Sequence, residues 1–507
     1  NNHNIASQFP NNQNFVIMIV LLVCLTILSS LLYLLRNKNG RRKLPPGPPS
    51  LPLIGNFHQL RSPLHVSFRK LSKQYGDLMF FRAGFVPTLV VSSADAAREI
   101  IKNHDLAFSG RPNLHATSKL NYGNGNMVFS SITDRWREMK KITILEILCT
   151  KKINGFQPVR DDEISLLLTD IGASLGQLVD VSQLLHRYAN NVLCRATVGT
   201  TCEQNSAGFT VEQVLQENQE LVASICLSDF FPFMGWLNKV NGFDSRLDKN
   251  FHDLERVYNK LIEDHQNAKK STLEEEEDFI DVLLRLRSEN SLITDTFIKA
   301  IIIDVFIAGT ETSSGTQTWA MTELMRNPAA MKRAQEEVRS AVPKEATRVT
   351  GEDLQKLTYL KAVIKEALRV HPPAPLLVPR ETTEDVEIRG YHIPAKTRVF
   401  INQSAISMDP ETWSEPHRFQ PERFLEGAID FRGHHFELIP FGAGRRMCPG
   451  MNFALSMVEL ALANVLHRFD WKLPPGVTAE NMNVEEAIGL AVMKKTPLLL
   501  IPQLPLN

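Results

Sequence analysis

Near the C-terminus, Phe441-Gly-Ala-Gly-Arg-Arg-Met-Cys-Pro-Gly450 surrounds one cysteine with glycines and two arginines. A cysteine taken alone reads as a small buried hydrophobe. The neighbours of Cys448 give it a second reading. Gly442, Gly444 and Gly450 let the backbone turn tightly and approach a flat ligand, and the freed N–H groups can hydrogen-bond a thiolate. Such bonds, with Arg446 nearby, favour the charged sulfur and tune it as a metal ligand. A dinucleotide loop does not fit, because Met447 stands where the third glycine of G-x-G-x-x-G belongs and no strand-to-helix unit precedes it.

Two further groupings could do chemistry or hold it. Ala308-Gly-Thr-Glu-Thr-Ser313 lies inside a helical stretch running from Thr294 to Arg326, and Gly309 and Thr312, three apart, share one face of it. A mid-helix glycine costs roughly 1 kcal/mol relative to alanine. Gly309 therefore has a reason, either close helix packing or an opening beside the Thr312 hydroxyl. Glu366 and Arg369 form E-x-x-R on another helix; as a surface ion pair they would contribute well under about 1 kcal/mol.

Together these motifs resemble the cytochrome P450 family. Phe441, Gly444, Arg446, Cys448 and Gly450 match its haem-binding loop F-x-x-G-x-R-x-C-x-G, and residues 308 to 313 match its oxygen-binding motif. The resemblance implies haem b with Cys448 as axial ligand of the iron, beside Phe441 and Gly442. It implies that Thr312 hydrogen-bonds the iron-bound oxygen, that Glu311 relays protons, and that Ala308 and Gly309 form the opening. It implies a buried triad of Glu366, Arg369 and Arg423, the last from Pro421-Glu-Arg-Phe424, holding the cysteine-loop side of the core. The haem propionates need cations. The family holds the propionates with Trp136 and Lys140 of W-R-E-M-K, Arg380 and Arg446, the tryptophan as a neutral N–H donor, although Arg is commoner where Lys140 stands. By the same resemblance the substrate pocket draws on residues 110 to 130, 300 to 312, 374 to 378 and 488 to 491. Ile303, Val305, Leu376, Leu377 and Leu490 give it an apolar lining.

The implied activity is that of a monooxygenase. A thiolate ligand pushes electron density to the iron and favours O–O cleavage. The combination LPPGPPSLPLIGN, AGTETSS and PFGAGRRMCPG is similar to the plant endoplasmic-reticulum type that oxidises lipophilic specialised metabolites such as terpenoids, alkaloids or phenylpropanoids. No flavin or nicotinamide fingerprint is present, so electrons come from NADPH through a separate cytochrome P450 reductase, with cytochrome b5 as a further donor. A docking patch is offered by residues 135 to 152, where Arg135, Arg137, Lys140, Lys141, Lys151 and Lys152 face only Glu138 and Glu146. The rival readings are a haem-thiolate isomerase or dehydratase that needs no dioxygen, and a non-catalytic lipophile-binding haem protein. Intact Glu311 and Thr312 weigh against the first.

These residues need a frame. Phe15 to Leu35 is 21 residues without a charge, about long enough to cross a hydrocarbon core of roughly 30 Å, and Arg36, Lys38, Arg41, Arg42 and Lys43 follow it. The positive-inside rule then keeps the body cytosolic behind a single membrane span. The expected division is an anchor with its basic flank over 1–43, a Pro-rich hinge over 44–56, and one haem-thiolate domain over 57–507. That domain reads as mainly α with small β-sheets. Strand character is confined chiefly to 78–92, broken at Gly84 and Pro87. Helices are expected at 327–340, capped by Asn327 and begun by Pro328, and at 350–370, with Thr350 as cap and Asp353 closing a capping box. The acidic run Glu274 to Asp278 reads as a solvated loop. The six cysteines show no C-x-x-C pair, which implies neither a disulfide framework nor a zinc site.

Composition sets the outer limits. With 507 residues, 43% hydrophobic and 22% charged, the chain is globular rather than disordered. Its 56 basic and 56 acidic residues leave no basic excess for nucleic acid. The balance is regional: residues 1 to 35 carry no charge, residues 36 to 43 carry five cations, and the body is mildly acidic.

Overall fold

The computed structural model describes residues 43–201, 211–267, 277–343 and 345–505, with isolated positions at Val20, Cys24 and Thr26. The expected span Phe15 to Leu35 thus lies outside the described residues, as do Glu274 to Glu276 of the acidic run. Among the described residues no single helix is long and apolar enough to cross a membrane. The Pro-rich stretch lies against the first strand: the Phe80 N–H donates to the Pro46 carbonyl (2.8 Å). Asn56, fully buried, accepts from the Arg82 N–H (2.9 Å) and donates to the carbonyls of Pro48 (3.1 Å) and Pro49 (3.0 Å).

The elements that matter for function are, in chain order, β1 (Leu78–Ala83), β2 (Val86–Val91), α1 (Asp134–Ile142), α2 (Gln157–Ala173), α3 (Val181–Val198), α4 (Phe243–Asn267) and α5 (Phe279–Glu289). After these come α6 (Asp295–Arg326), α7 (Pro328–Ala341), α8 (Thr358–Val370), β3 (Arg380–Glu381), β4 (Arg398–Ile401), α9 (Met451–Arg468), β5 (Glu486–Ile488) and β6 (Val492–Lys494). β1 and β2 form an antiparallel hairpin, β2 runs parallel to β4, and β4 pairs with β3, giving one four-stranded sheet beside the helices. Pro87 does not break a strand as expected. It sits opposite Arg82 inside β2, one residue before the pairing with β4 begins at Thr88, where its missing N–H leaves no ladder bond unmade.

α6 is the central helix. Thr294 caps it, its hydroxyl accepting from the Phe297 N–H (3.2 Å), and the helix ends where the Asn327 side chain donates back to the Glu323 carbonyl (2.8 Å). It is buried on nearly every face, packing against α3, α5, α7, α8 and α9, and its polar residues from Thr310 to Thr318 are mostly enclosed with the apolar ones. Each fully buried Ile, Leu or Phe along it stabilises the fold by roughly 1.5–3 kcal/mol.

Three local expectations are revised. The helix expected over 350–370 is split: Thr350 donates to Asp353 from both N–H (3.1 Å) and hydroxyl (2.7 Å), but this closes only a short 3-10 turn. α8 then starts at Thr358, where the Glu337 carboxylate of α7 accepts from the N–H groups of Tyr359 (2.7 Å) and Leu360 (2.9 Å). The cap comes from a neighbouring helix, which local sequence does not reveal. At the end of the acidic run, Asp278 caps α5 by accepting from the Asp281 N–H (2.9 Å) and Glu277 pairs with Arg285 (2.9 Å), so these two acids are structural. Cys194, buried in α3, is disulfide-bonded, contrary to the reading of the cysteines.

Candidate active site

Along α6 the burial is interrupted on one stripe. Val305, Ala308, Gly309 and Thr312, spaced i, i+3, i+4 and i+7, face a cavity of about 320 Å³ together with Ile301 and Asp304. Across the cavity stands the cysteine loop, from Pro440 through Gly450 into α9. The elements that carry the thiol and the Thr312 hydroxyl are far apart in sequence. Packing of α6 on α9 brings both to one enclosed space.

The loop is shaped by its own backbone. The Cys448 N–H donates to the Phe441 carbonyl (2.9 Å), closing the turn, and Gly444 adopts φ +69°. A Cβ on Gly444 would stand 2.7 Å from Ile101 Cγ2, so that position is closed to any other residue both conformationally and sterically. Burial pushes the Cys448 thiol up from its ordinary value, opposed by the N–H groups of Gly450 and Met451 at the start of α9. The N–H donors expected for the sulfur are there, supplied by a helix N-terminus. Arg446 is not one of them. Its guanidinium donates to the carbonyls of Ser109 (2.7 Å), Met127 (3.3 Å) and Ser130 (2.6 Å) and lies 4.7 Å from the Trp136 ring.

Cations gather at one edge. Lys140, Arg380 and Arg446 all line the cavity, and so does Arg111, which the sequence did not single out. Burial lowers all four, and for Arg111, Lys140 and Arg446 repulsion from neighbouring cations adds to it. Arg446 falls to about 10 under burial and Arg380, with Asp105 opposing; Arg111 falls well below its usual value under burial, Arg446 and Arg380. Lys140 is lowered by burial and Arg446, and Arg380 by burial, with Asp105 opposing. Asp105 already bonds Arg380 (3.2 Å) and Arg445 (3.1 Å), so the group has more positive than negative charge. An otherwise apolar cavity with a thiol at its floor and surplus cations at its rim suits a planar, largely apolar metal complex with an anionic edge. Haem with its two propionates has that form.

The comparisons agree with this geometry. The family model of the cytochrome P450s matches residues 45–501. The chain belongs to the cytochrome P450 family. It is 50% identical over 467 residues to cytochrome P450 71A9 of Glycine max, covering 90% of this chain and 92% of that one. It is 45% identical over 489 residues to strychnine-11-hydroxylase of Strychnos nux-vomica (94% and 96%). With a phenylacetaldehyde oxime monooxygenase of Prunus mume it shares 41% over 509 residues (97% and 96%). Among solved structures, a zebrafish cytochrome P450 with progesterone superposes with a TM-score of 0.74 at 26% identity, over 87% of this chain and all of that one. This P450 is thus a haem-thiolate monooxygenase of the P450 fold.

The P450 fold brings together Cys448, Phe441, Gly442, Arg446, Trp136, Lys140, Arg380, Ala308, Gly309, Thr312, Val305 and Leu377 around one cavity. Trp136 donates to the Met127 carbonyl (2.9 Å), and Lys140 donates to the Arg445 carbonyl. Four expected residues fall elsewhere. Ile303 is fully buried on the opposite side of α6, about 200° of helical turn from Val305. Leu376 packs behind the sheet with Phe68, Met79 and Phe81, while Leu377, at φ +51°, turns to the cavity. Leu490 packs against the helical core. Glu311 is turned off the cavity face and accepts from the Ala491 N–H; burial raises its carboxyl, that bond opposing. Gly309 serves packing as well as the opening, since a Cβ there would lie 2.8 Å from both Leu193 methyls. Sequence reasoning also missed Asp304, whose signal was an acid within the apolar run IIIDVFIA.

Proposed function

We propose that this P450 oxidises a small lipophilic plant metabolite, with electrons delivered from NADPH by cytochrome P450 reductase and cytochrome b5, while a single span at residues 15–35 holds it on the endoplasmic-reticulum membrane with the catalytic domain cytosolic. The observation that carries the reading is that Cys448 and the Ala308–Thr312 turn line one apolar cavity with cations at its rim. Bound haem would supply dioxygen activation; the Cys448 thiolate would hold its iron, and Arg111, Lys140, Arg380, Arg446 and Trp136 would hold its propionate edge. Ile301, Val305, Leu377 and Val378 offer the substrate apolar walls. The Thr312 hydroxyl is held by the Ala308 carbonyl (2.6 Å) and stands on the cavity face to pass a proton. Glu311 stands off that face, its carboxyl raised by burial against the opposing bond from the Ala491 N–H. The named activities of the relatives, hydroxylation of strychnine and oxidation of an oxime, support a nitrogenous or aromatic specialised metabolite.

The reductase patch is smaller than the sequence count. Lys140 turns inward, and Lys152 pairs with Glu277 (3.3 Å). Arg135, Arg137, Lys141 and Lys151 remain on the exposed side, beside the exposed Ile144 and Leu145. A charged rim around apolar side chains suits a salt-sensitive, transient partner, so rising ionic strength should slow haem reduction. The deciding experiment is a reductase-coupled screen of lipophilic plant metabolites with mass-spectrometric detection of one added oxygen. Product formed without NADPH would favour an isomerase. A reduced, CO-treated protein lacking the red-shifted thiolate Soret band, or keeping it in Cys448→Ser, would refute the ligand assignment.

A further inference from the structure

The loop from Gly123 to Ser130 has no ladder or helix to satisfy its amides, yet two of its residues, Met127 and Val128, line the cavity. Asp304 of α6 takes up those amides. One carboxylate oxygen accepts from the Met127 N–H (2.7 Å) and the other from the Asn126 side chain, itself fully buried, while the Val128 N–H also points at the carboxylate. Asn126 in turn accepts from the Phe129 N–H (3.2 Å). Burying an acid in an apolar helix is costly unless its bonds are made. Here three donors converge on it.

The other side of the same backbone faces the cations. The Met127 carbonyl accepts from Trp136 Nε1 (2.9 Å) and Arg446 (3.3 Å), and the Val128 carbonyl accepts from Arg111 Nε (2.8 Å). Arg111 continues to the carbonyls of Val378 and Pro379, both at 2.7 Å, beside Leu377 on the opposite wall. One carboxylate therefore fixes the N–H side of a two-residue segment whose C=O side fixes two cations and an indole.

We propose that Asp304 is a positioning residue that sets both the Met127–Val128 wall of the substrate cavity and the placement of Arg111 and Arg446, so that it governs which bulky ligands fit without touching the thiolate. The inference rests on haem occupying the cavity, and it concerns selectivity rather than the chemical step. Asparagine at 304 would offer one acceptor oxygen where two are used, and would turn an N–H₂ toward the loop amides. Met127 and Val128 would then lose their anchor while Cys448, on the other wall, keeps its own.

The test uses the full-length holoenzyme as wild type, Asp304→Asn and Asn126→Ala, the last removing one donor and keeping the acid. Spectral titrations employ imidazole as a small iron-directed probe and clotrimazole as a bulky one, and hydrogen exchange follows residues 123–130. Expected in both variants are a retained CO-thiolate band, nearly unchanged imidazole binding, clotrimazole binding weaker by about fivefold or more, and exchange at 127 and 128 faster by about tenfold. Haem transfer to apomyoglobin should also accelerate. If Asp304→Asn fails to load haem, Asn126→Ala decides. Unchanged exchange at 127 and 128, exchange raised equally across the chain, or equal weakening of both azoles would each overturn the proposal. Loss of the thiolate band in wild type would instead strike at the haem assignment.

Discussion

The Arg369 guanidinium and the Glu366 carboxylate meet through two parallel hydrogen bonds, 2.7 and 2.8 Å, with neither side chain exposed to solvent. Arg423 adds a third bond to the same carboxylate (3.1 Å), and Arg369 also donates to the carbonyls of Ser407 and Pro416, each at 2.8 Å. An i, i+3 spacing that would mean little on a surface here ties α8 to the segment before the cysteine loop. Removing one partner leaves the other charge buried and unpaired, which costs about 3–5 kcal/mol. Glu366→Gln should therefore lower the thermal midpoint of the holoenzyme and the Soret absorbance per chain together. A near-native midpoint would show that the triad is dispensable.

Arg111 supplies the second prediction. Its bonds to Val128, Val378 and Pro379 place a cation at the cavity edge where burial and its neighbours already depress it, an arrangement that an anion would relieve. Arg111→Met should speed haem loss to apomyoglobin by about tenfold or more, the equivalent of one lost charged hydrogen bond. Arg137→Met, which removes an exposed residue whose ion pair among the described residues is with the exposed Asp134, should leave the rate unchanged. Equal rates for the two variants would mean that Arg111 merely fills space.

A Cβ on Gly309 would sit 2.8 Å from both methyls of Leu193. Gly309→Ala should thus destabilise by about 1–3 kcal/mol through overpacking, despite alanine being the better helix former. Leu193→Ala alone should also destabilise, by about 2–5 kcal/mol. Their combination should cost less than the sum, because the small residue makes room for the new methyl. Strict additivity of the unfolding free energies would place the glycine's role in the cavity alone.

How much of this was legible in the sequence varies with the range of the interactions. The Cys448 loop, the α6 boundaries and the E-x-x-R pair were readable because each is set by residues within a few positions: a capping Thr294, a Pro328 start, a glycine spacing. What failed depended on helical phase or on a distant partner. Ile303 and Val305 look equivalent as letters, yet only Val305 falls on the stripe with Ala308 and Thr312. Arg111 has no local pattern at all; its meaning comes from carbonyls some 267 positions away. The start of α8 is set by Glu337 on another helix, and Glu311 is turned aside by a backbone N–H from the β5–β6 turn.

His265, at the end of α4, offers a pH test away from the haem site. Nδ1 bonds the Leu261 carbonyl (2.6 Å) and Nε2 bonds Asp278 (2.8 Å), the pattern of an imidazolium, so the group His265, Asp278 and Asp281 acts as an ion pair rather than a metal site. Burial opposes the charge, but the bond and charge of Asp278 outweigh it and raise the ring from 6.5 to about 9. A folded-state value above the ordinary one means that the pair's contribution is complete below pH 6.5 and is lost as pH rises through about 9. Discounted for the solvent that reaches the pair, that contribution is about 1–2 kcal/mol. Between pH 6.5 and 9 the wild-type thermal midpoint should fall more steeply than that of His265→Gln, the two curves converging at the alkaline end. Parallel curves would mean that the ring stays neutral and that Asp278 serves α5 only as its cap.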